Sequence, residues 1–575
     1  MQYPLTEKIG DPDLLVGREE DFRLFQKWLD RIPQRLSKSR VILSRRKSGK
    51  TVFIQRIFNQ LWSKNGDVIP FFFDVADTPI WYPNLAIDYY SAFASQYISF
   101  LERDENLVSK RLSLEEIRQY GQANAINEFV ADVDFLYQNQ ERGQDLMWKM
   151  ASSAPHRFAA FYKKRFLVII DEFQNFTKYV YRDEKCSGKP IEALAGSFHS
   201  LSESKIAPML VTGSYVGWLL RIMGKYLEAG RLTYIHFYPY LTEEEGLQAV
   251  YKYAQFYQEP ITNETAVQIN ELCMSDPFFI SCVVQNEQGN QDLTTSSGVI
   301  DRVNYEISDR HSEMSETWNE YLQMTLKRVN DAHAKNILLY LSKHADRYWT
   351  HRELKEKLGL PLVLNEIQEK LLILSDADMI ERGVSDIDFR GLQDGTLKLI
   401  LRNRYEKEIE TYIPNFKQEF ENKIKALTNK NNQLQGKLNH LSGKMAEHLL
   451  ATAFRSKKRF ALSDFFQEVI DTTRLNIIEV KERILFQRPD GKGMELDIAA
   501  HSSCGRIVVI EVKKTQAKTG LTIIEDFQEK VEIYSKQFPE QKILPAFLSL
   551  GGFTEEALQF CKKHGIGTAE RIMHY

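Results

Sequence analysis

Arg40-Val-Ile-Leu-Ser-Arg-Arg-Lys-Ser-Gly-Lys-Thr-Val-Phe53 decides the fold class. Residues 41–43 are a short apolar run that reads as a buried strand. Residues 44–48 form a polar, basic loop, and from Thr51 the pattern turns helical. The loop closes on Gly49-Lys50-Thr51. Gly49 lets the backbone approach a phosphate, Lys50 reaches the β/γ oxygens, and the Thr51 hydroxyl can serve Mg²⁺. The helix N-terminus adds free N–H groups and positive dipole. A lone Gly-Lys-Thr could be a surface turn, but a strand before and a helix after argue for nucleotide binding. The pattern asks for Gly at the loop's first position, and this chain has Ser44. The expected nucleotide contacts are Ser44, Arg45, Arg46, Lys47, Ser48, Gly49, Lys50, Thr51 and Phe53.

A chain of 575 residues has material for about three to five domains. Its formal charge of −3 carries no global signature of polyanion binding, so any nucleic-acid surface must be local. Five scattered cysteines with no Cys-x-x-Cys pair suggest neither a zinc knuckle nor a disulfide framework. The N-terminus lacks a basic-then-apolar signal, and no run of about 18 apolar residues occurs. These features predict a soluble, cytoplasmic protein without membrane contact.

Leu14-Leu-Val-Gly-Arg-Glu-Glu-Asp21 precedes an amphipathic helix to about Arg31. A second strand is expected over 68–75, and residues 80–163 read as a helical insertion over one sheet edge. Arg165-Phe-Leu-Val-Ile-Ile-Asp-Glu-Phe173 runs five apolar residues into two acids, as a strand buried on both faces does at its C-terminal edge. Downstream of Lys50, Asp171 would hold Mg²⁺ through water and Glu172 would polarise the attacking water. Pro208-Met-Leu-Val-Thr-Gly-Ser214 is a further buried strand. Ser214 is expected to sense a γ-phosphate and Arg231 to reach a phosphate, although an Arg after Gly230 can simply cap a helix. The set Val16-Gly17-Arg18-Glu19, Gly49-Lys50-Thr51, Asp171-Glu172, Gly213-Ser214 and Gly230-Arg231 before Leu-Thr-Glu-Glu-Glu resembles the archaeal-type ATPases, relatives of the STAND ATPases within the AAA+ class. The resemblance covers roughly 11–290. It implies an ATP- and Mg²⁺-binding P-loop domain over 1–240 and a helical lid over 241–330, with Asp276-Pro277-Phe278-Phe279 opening a lid helix.

Residues 331–404 read as a winged helix. Thr350-His-Arg-Glu353 is a capping box, a second helix over 364–376 would be the recognition element, and 386–401, turning at Asp394-Gly395, would be the wing. From 350 to 404 there are nine Lys/Arg against ten Asp/Glu. Phosphate contacts need positive charge, so a relay module is favoured over a DNA reader. Residues 405–441 read as a helical connector. Phe420, Ile424, Leu427, Asn431, Leu434, Leu438, Leu441 and Met445 alternate spacings of four and three. That heptad, with Asn431 at an a position, suits a homodimer or a long helix lying on its own chain.

Gly493-Met-Glu-Leu-Asp-Ile-Ala-Ala-His-Ser-Ser-Cys-Gly-Arg-Ile-Val-Val-Ile-Glu-Val-Lys-Lys514 reads as a hairpin turning at 502–505. Period two puts Glu511 and Lys513 on one face and Glu495 with Asp497 on one face. Two carboxylates and an ammonium suit Mg²⁺-assisted phosphodiester cleavage: Asp497 and Glu511 as ligands, Lys513 orienting water or offsetting charge. A solvated strand edge is the alternative. The hairpin resembles the PD-(D/E)xK nucleases over about 442–575, and that resemblance implies Glu447 as the helical acid and a restriction-endonuclease-like α/β fold. Residues 442–575 hold 20 Lys/Arg against 18 Asp/Glu, with Arg455-Ser-Lys-Lys-Arg459 as a local cluster. The combined expectation is an α/β multidomain protein in which an ATPase controls a Mg²⁺-dependent nuclease acting on double-stranded DNA. By analogy alone, it resembles prokaryotic genome-defence proteins. A non-catalytic nucleotide-dependent switch is the other class.

Overall fold

The computed structural model describes all residues except 141–142, 214–215, 228–229, 287–290, 330–332, 378, 384–386, 411–412, 489, 515–516 and 572–575, and, within helices, the side chains of 216, 324, 327–329, 439–440 and 442–443. The chain divides into two compact units, Met1–Glu421 and Asn422–Tyr575.

The first unit is built on five parallel strands: β1 (Arg40–Leu43), β2 (Val68–Asp74), β3 (Arg165–Asp171), β4 (Met209–Thr212) and β5 (Thr233–His236). Their order across the sheet is β2-β3-β4-β1-β5. Nearly continuous burial of β1 to β4 follows from a sheet covered on both faces. The helix Lys50–Lys64 leaves β1, and its Phe53, Ile54, Ile57, Phe58 and Trp62 enter the core. Edge strand β2 carries Pro70, whose missing N–H suits an edge. Beside it, the Gln96 amide both donates to the Phe72 carbonyl and accepts from the Phe72 N–H, each at 2.8 Å. Gln96 lies on the buried helix Tyr82–Glu102 of the expected insertion, so that segment closes the sheet edge.

Five helices follow the sheet, from Glu243–Phe256 to Glu313–Val329. Helices Ala334–Lys343, His351–Leu358 and Leu364–Asp376 then pack with an antiparallel sheet of β6 (Trp349–Thr350), β7 (Ile380–Arg382) and β8 (Asp388–Gly391), in the order β6-β8-β7. The capping box forms as expected, with Thr350 accepting from the Glu353 N–H. The expected wing over 386–401 needs correction. Asp394-Gly395 is no hairpin turn: Asp394 accepts from the Leu397 N–H at 3.0 Å and caps the helix Gly395–Glu410. Asp-Gly serves either purpose, and the apolar positions Leu397, Ile400 and Leu401 select the helix. Residue 386 itself lies outside the described residues.

The two compact units divide at 421/422, within the expected connector over 405–441. One helix, Phe416–Lys457, runs 42 residues through that division. Within its heptad Phe420 and Ile424 are buried, whereas Leu434, Leu438, Leu441 and Met445 are exposed.

The second unit carries six strands in chain order: β9 (Arg459–Ala461), β10 (Arg474–Gln487), β11 (Gly493–Ser502), β12 (Arg506–Lys513), β13 (Lys542–Ser549) and β14 (Gly567–Ala569). Pairing is antiparallel from β9 to β12 and parallel from β12 to β14. Alternate residues serve opposite faces: Val508 and Ile510 enter one core, Ile507 and Val509 the other. Helices Leu521–Ser535 and Glu555–His564 belong to the second core.

Candidate functional site

Parallel strands present their C-terminal ends along one edge, and the first site is assembled there. Gly49 adopts φ +85°, a left-handed conformation open to Gly, and hands the loop to the helix Lys50–Lys64. The Lys50 ammonium donates to the carbonyls of Ser44 at 3.0 Å and Arg45 at 2.9 Å. Among the described residues, the buried Ser44 and Ser48 hydroxyls find no hydrogen-bond partner. Those orphaned groups and the Lys50 ammonium line a loop suited to phosphate oxygens. Ser44 in place of Gly thus adds a donor.

Across the edge, Thr51 Oγ1 donates to Asp171 Oδ2 at 2.7 Å, and Thr212 Oγ1 donates to Asp171 Oδ1. Asp74 stands in register beside Asp171 and pairs with Lys8 at 2.9 Å. Burial, reinforced by Glu172, raises the Asp171 pKa above the ordinary carboxylate value. A hydroxyl beside a buried carboxylate is an all-oxygen donor set, and it fits Mg²⁺. Glu172 sits at φ +52° and accepts from Gln174 Nε2. Thr212, Asp74 and Gln174 were not foreseen as site residues; Thr212 and Asp74 close strands that were expected, and Gln174 lies in the turn Phe173–Thr177 after β3.

Several expected nucleotide contacts lie elsewhere. Phe53 is fully buried, with its ring centroid 4.5 Å from Phe22 and 5.1 Å from both Phe25 and Phe237, so it is a core residue. The basic loop side chains turn towards the helices that follow the sheet. Arg46 lies over the Tyr321 ring at 5.9 Å, and Lys47 over Phe278 at 4.7 Å. Arg45 is buried, with Nη2 2.5 Å from Asp276 Oδ2 and Nε 2.6 Å from Asp394 Oδ2. Its side chain is therefore committed to carboxylates. Arg231 is the clearest correction. It precedes β5, and Thr233 at the start of that strand donates to the Ser39 carbonyl at 2.9 Å, beneath β1. That is the opposite edge of the sheet from the loop, where Arg231 pairs with Glu203 at 2.6 Å. Ser214 lies outside the described residues. Arg18, buried, donates to the Ser48 carbonyl at 3.3 Å and stacks over Phe237 at 4.2 Å. The Val-Gly-Arg-Glu box thereby braces the phosphate loop.

The second site lies on β11, β12 and the helix Leu521–Ser535. The Ile498–Ile510 pair sets the register that brings Asp497 beside Glu511. Asp497 Oδ2 accepts from the Val512 N–H at 2.7 Å. Lys530 Nζ donates to Glu511 Oε1 at 2.6 Å, whereas Lys513 Nζ is 3.9 Å from the same oxygen. Glu511 Oε2 is buried and, among the described residues, has no hydrogen-bond partner. Burial raises the pKa of Asp497, and burial together with Asp497 raises that of Glu511. An orphaned carboxylate oxygen beside a second carboxylate fits a hard divalent cation. Among the described residues no three His, Cys, Asp or Glu side chains gather as a ligand set. Glu447, the expected helical acid, lies within electrostatic reach of Asp497. It is half-buried, and its pKa is raised by burial and then by Asp497. Glu495 is drawn off by Arg483 at 2.7 Å. Arg455 and Lys457 of the basic cluster pair with Glu482 at 2.6 Å and Asp464 at 3.4 Å. Lys530 could not be found from the sequence because it is contributed by a helix, at no fixed spacing from the hairpin.

No protein-family profile and no curated protein matches the chain. Among solved structures it is similar to the Walker-type ATPase PABY2304 of Pyrococcus abyssi, with 13% identity, 69% of this chain and 98% of that one covered, and a TM-score of 0.44. It is also similar to Cdc6p from Pyrobaculum aerophilum, at 12% identity, 69% and 99% coverage and a TM-score of 0.30. A repair endonuclease from Pyrococcus abyssi shares 17% identity over 16% of this chain and 39% of its own, with a TM-score of 0.13. At these scores the likenesses add no weight, and both sites stand on their geometry. No helix among the described residues is long and apolar enough to cross a membrane.

Proposed function

We propose that the chain is a P-loop ATPase of the AAA+/STAND kind that regulates a Mg²⁺-dependent nuclease acting on double-stranded DNA. The observation that carries the nuclease half is the pair of half-buried Asp497 and buried Glu511, with Lys530 2.6 Å from Glu511 and one Glu511 carboxylate oxygen unpartnered among the described residues. Magnesium, held by Asp497 and Glu511, would supply Lewis-acid activation of a phosphodiester. Lys530 orients Glu511, and Lys513 faces the approaching backbone, where it offsets charge gathering on the phosphate. In the ATPase half, Lys50 and the backbone of residues 44–49 bind phosphate, Thr51 and Asp171 would hold Mg²⁺, and Glu172 orients water. The five helices over 243–329 serve as the lid, and residues 334–410 serve as a winged-helix relay.

Incubating the protein with plasmid and linear DNA in Mg²⁺, in EDTA and beside Glu511→Ala tests this directly. Metal-dependent cleavage absent from the variant supports the nuclease. No cleavage in any nucleotide state overturns it in favour of a non-nucleolytic switch. Engagement of Arg45, Arg46 and Lys47 by side chains outside the phosphate loop favours that second reading, because it describes a loop wired to other elements.

A further inference from the structure

Arg45 joins three parts of the first unit through one guanidinium. It belongs to the phosphate loop. Asp276 caps the helix Pro277–Gln285, accepting from the Phe278 N–H at 3.0 Å. Asp394 caps the helix Gly395–Glu410. The cluster continues outward. Thr396 Oγ1 donates to Asp276 Oδ2 at 3.0 Å, and Tyr240 Oη donates to Asp394 Oδ1 at 2.5 Å. Arg45, Asp276, Asp394 and Thr396 are all buried, and the Trp318 ring lies 5.3 Å from the guanidinium. Two carboxylates of separate helices thus depend on one cation, which depends in turn on the path of residues 44–49. The loop backbone has a second tenant, because Lys50 donates to the Arg45 carbonyl itself at 2.9 Å.

We infer that this cluster is a latch through which nucleotide occupancy is signalled to the 395–410 helix. The inference rests on the proposed nucleotide site. Phosphate entering the loop takes Lys50 from the Ser44 and Arg45 carbonyls, which repositions Arg45. It also brings anionic charge that competes with the carboxylates for the guanidinium. Asp394 is the partner released, since Arg45 Nη2 makes a hydrogen bond to Asp276, whereas the Arg45 Nε–Asp394 Oδ2 ion pair lacks hydrogen-bond geometry and Asp394 keeps the Tyr240 hydroxyl and the Leu397 N–H. The empty loop and the closed latch therefore favour each other. Linkage requires the reverse effect: weakening the Asp394 contact tightens nucleotide binding by the same factor.

Two measurements test the latch. Equilibrium binding of ATP and ADP is compared between the unmodified protein and Asp394→Asn, which keeps the side chain's size and removes its charge. The expected result is tighter binding by the variant, about fivefold or more. Hydrogen exchange over Gly395–Glu410 in the unmodified protein, which requires no variant to fold, is expected to quicken on saturation with nucleotide. Binding by the unmodified protein, with the variant within twofold and exchange unmoved, overturns the latch alone. Failure of the unmodified protein to bind either nucleotide overturns the nucleotide site and the latch together.

Discussion

Lys530 and Lys513 both lie near Glu511, yet only Lys530 makes a hydrogen bond to it, and it is the less exposed of the two. Lys530→Met should therefore lower cleavage by about 10²-fold or more, within the range for a positioned charged group. A larger loss in Lys513→Met than in Lys530→Met would show that the contact to the phosphate outweighs the orientation of Glu511. The raised pKa values of Asp497 and Glu511 fix a sign as well. An acid that holds its proton more tightly folded than unfolded loses stability as pH rises from its ordinary titration range through its raised folded value. Mg²⁺ relieves that cost only once the proton has left. The Mg²⁺-induced rise in melting temperature should thus grow as pH rises above the ordinary carboxylate range, and it should vanish in Glu511→Gln; a shift that does not grow with pH, or one surviving the variant, would refute cation binding there. At the first site, a Cβ on Gly213 would meet the Gln174 amide that bonds Glu172. Gly213→Ala should lower ATP turnover while leaving ATP affinity near that of the unmodified protein, as parallel turnover and binding assays would show. Residue types at strand ends were legible in the sequence because acids that close an apolar run mark the point where a buried strand meets water or a ligand. Partners were not. Arg45 among basic neighbours resembles a phosphate ligand until the fold brings Asp276 and Asp394 to it.

At the level of elements, the strand–loop–helix at β1 and the hairpin β11–β12 could be read from period and punctuation alone. The helix Gly395–Glu410 could not, because Asp-Gly opens a turn or caps a helix with equal ease. Arg231 failed for a different reason. Linear order after β4 does not say which edge of a parallel sheet a residue reaches, and β5 enters from the edge opposite the loop. The heptad predicted an apolar stripe, and the structure leaves its Leu434–Met445 portion exposed on the long helix. Gly436 sits in that stretch, with open space where a Cβ would stand. Gly436→Ala should stabilise the helix by about 1 kcal/mol, seen as slower exchange over 430–445. Unchanged exchange would mean that the segment is not a stable helix in solution.

For the whole molecule, the two sites belong to separate units, so their coupling has a direct test. Lys50→Ala should change the nuclease rate and its ATP dependence without altering residues of the second site. Equal cleavage with and without ATP, in variant and unmodified protein alike, would refute the coupling. Edge strand β2 has a consequence for how the chain is made. Its sequence, Val68-Ile-Pro-Phe-Phe-Phe-Asp74, is an aromatic run whose outer side is sealed by Gln96, only 24 residues on from Phe72. Its inner neighbour β3 is about a hundred residues further along the chain. At ribosomal speeds of 5–20 residues per second, Phe71, Phe72 and Phe73 wait roughly 5–20 s for a partner strand. The N-terminal domain thus passes through a stage with one finished edge and one sticky edge, and expression at reduced translation rate should make its yield more dependent on chaperones.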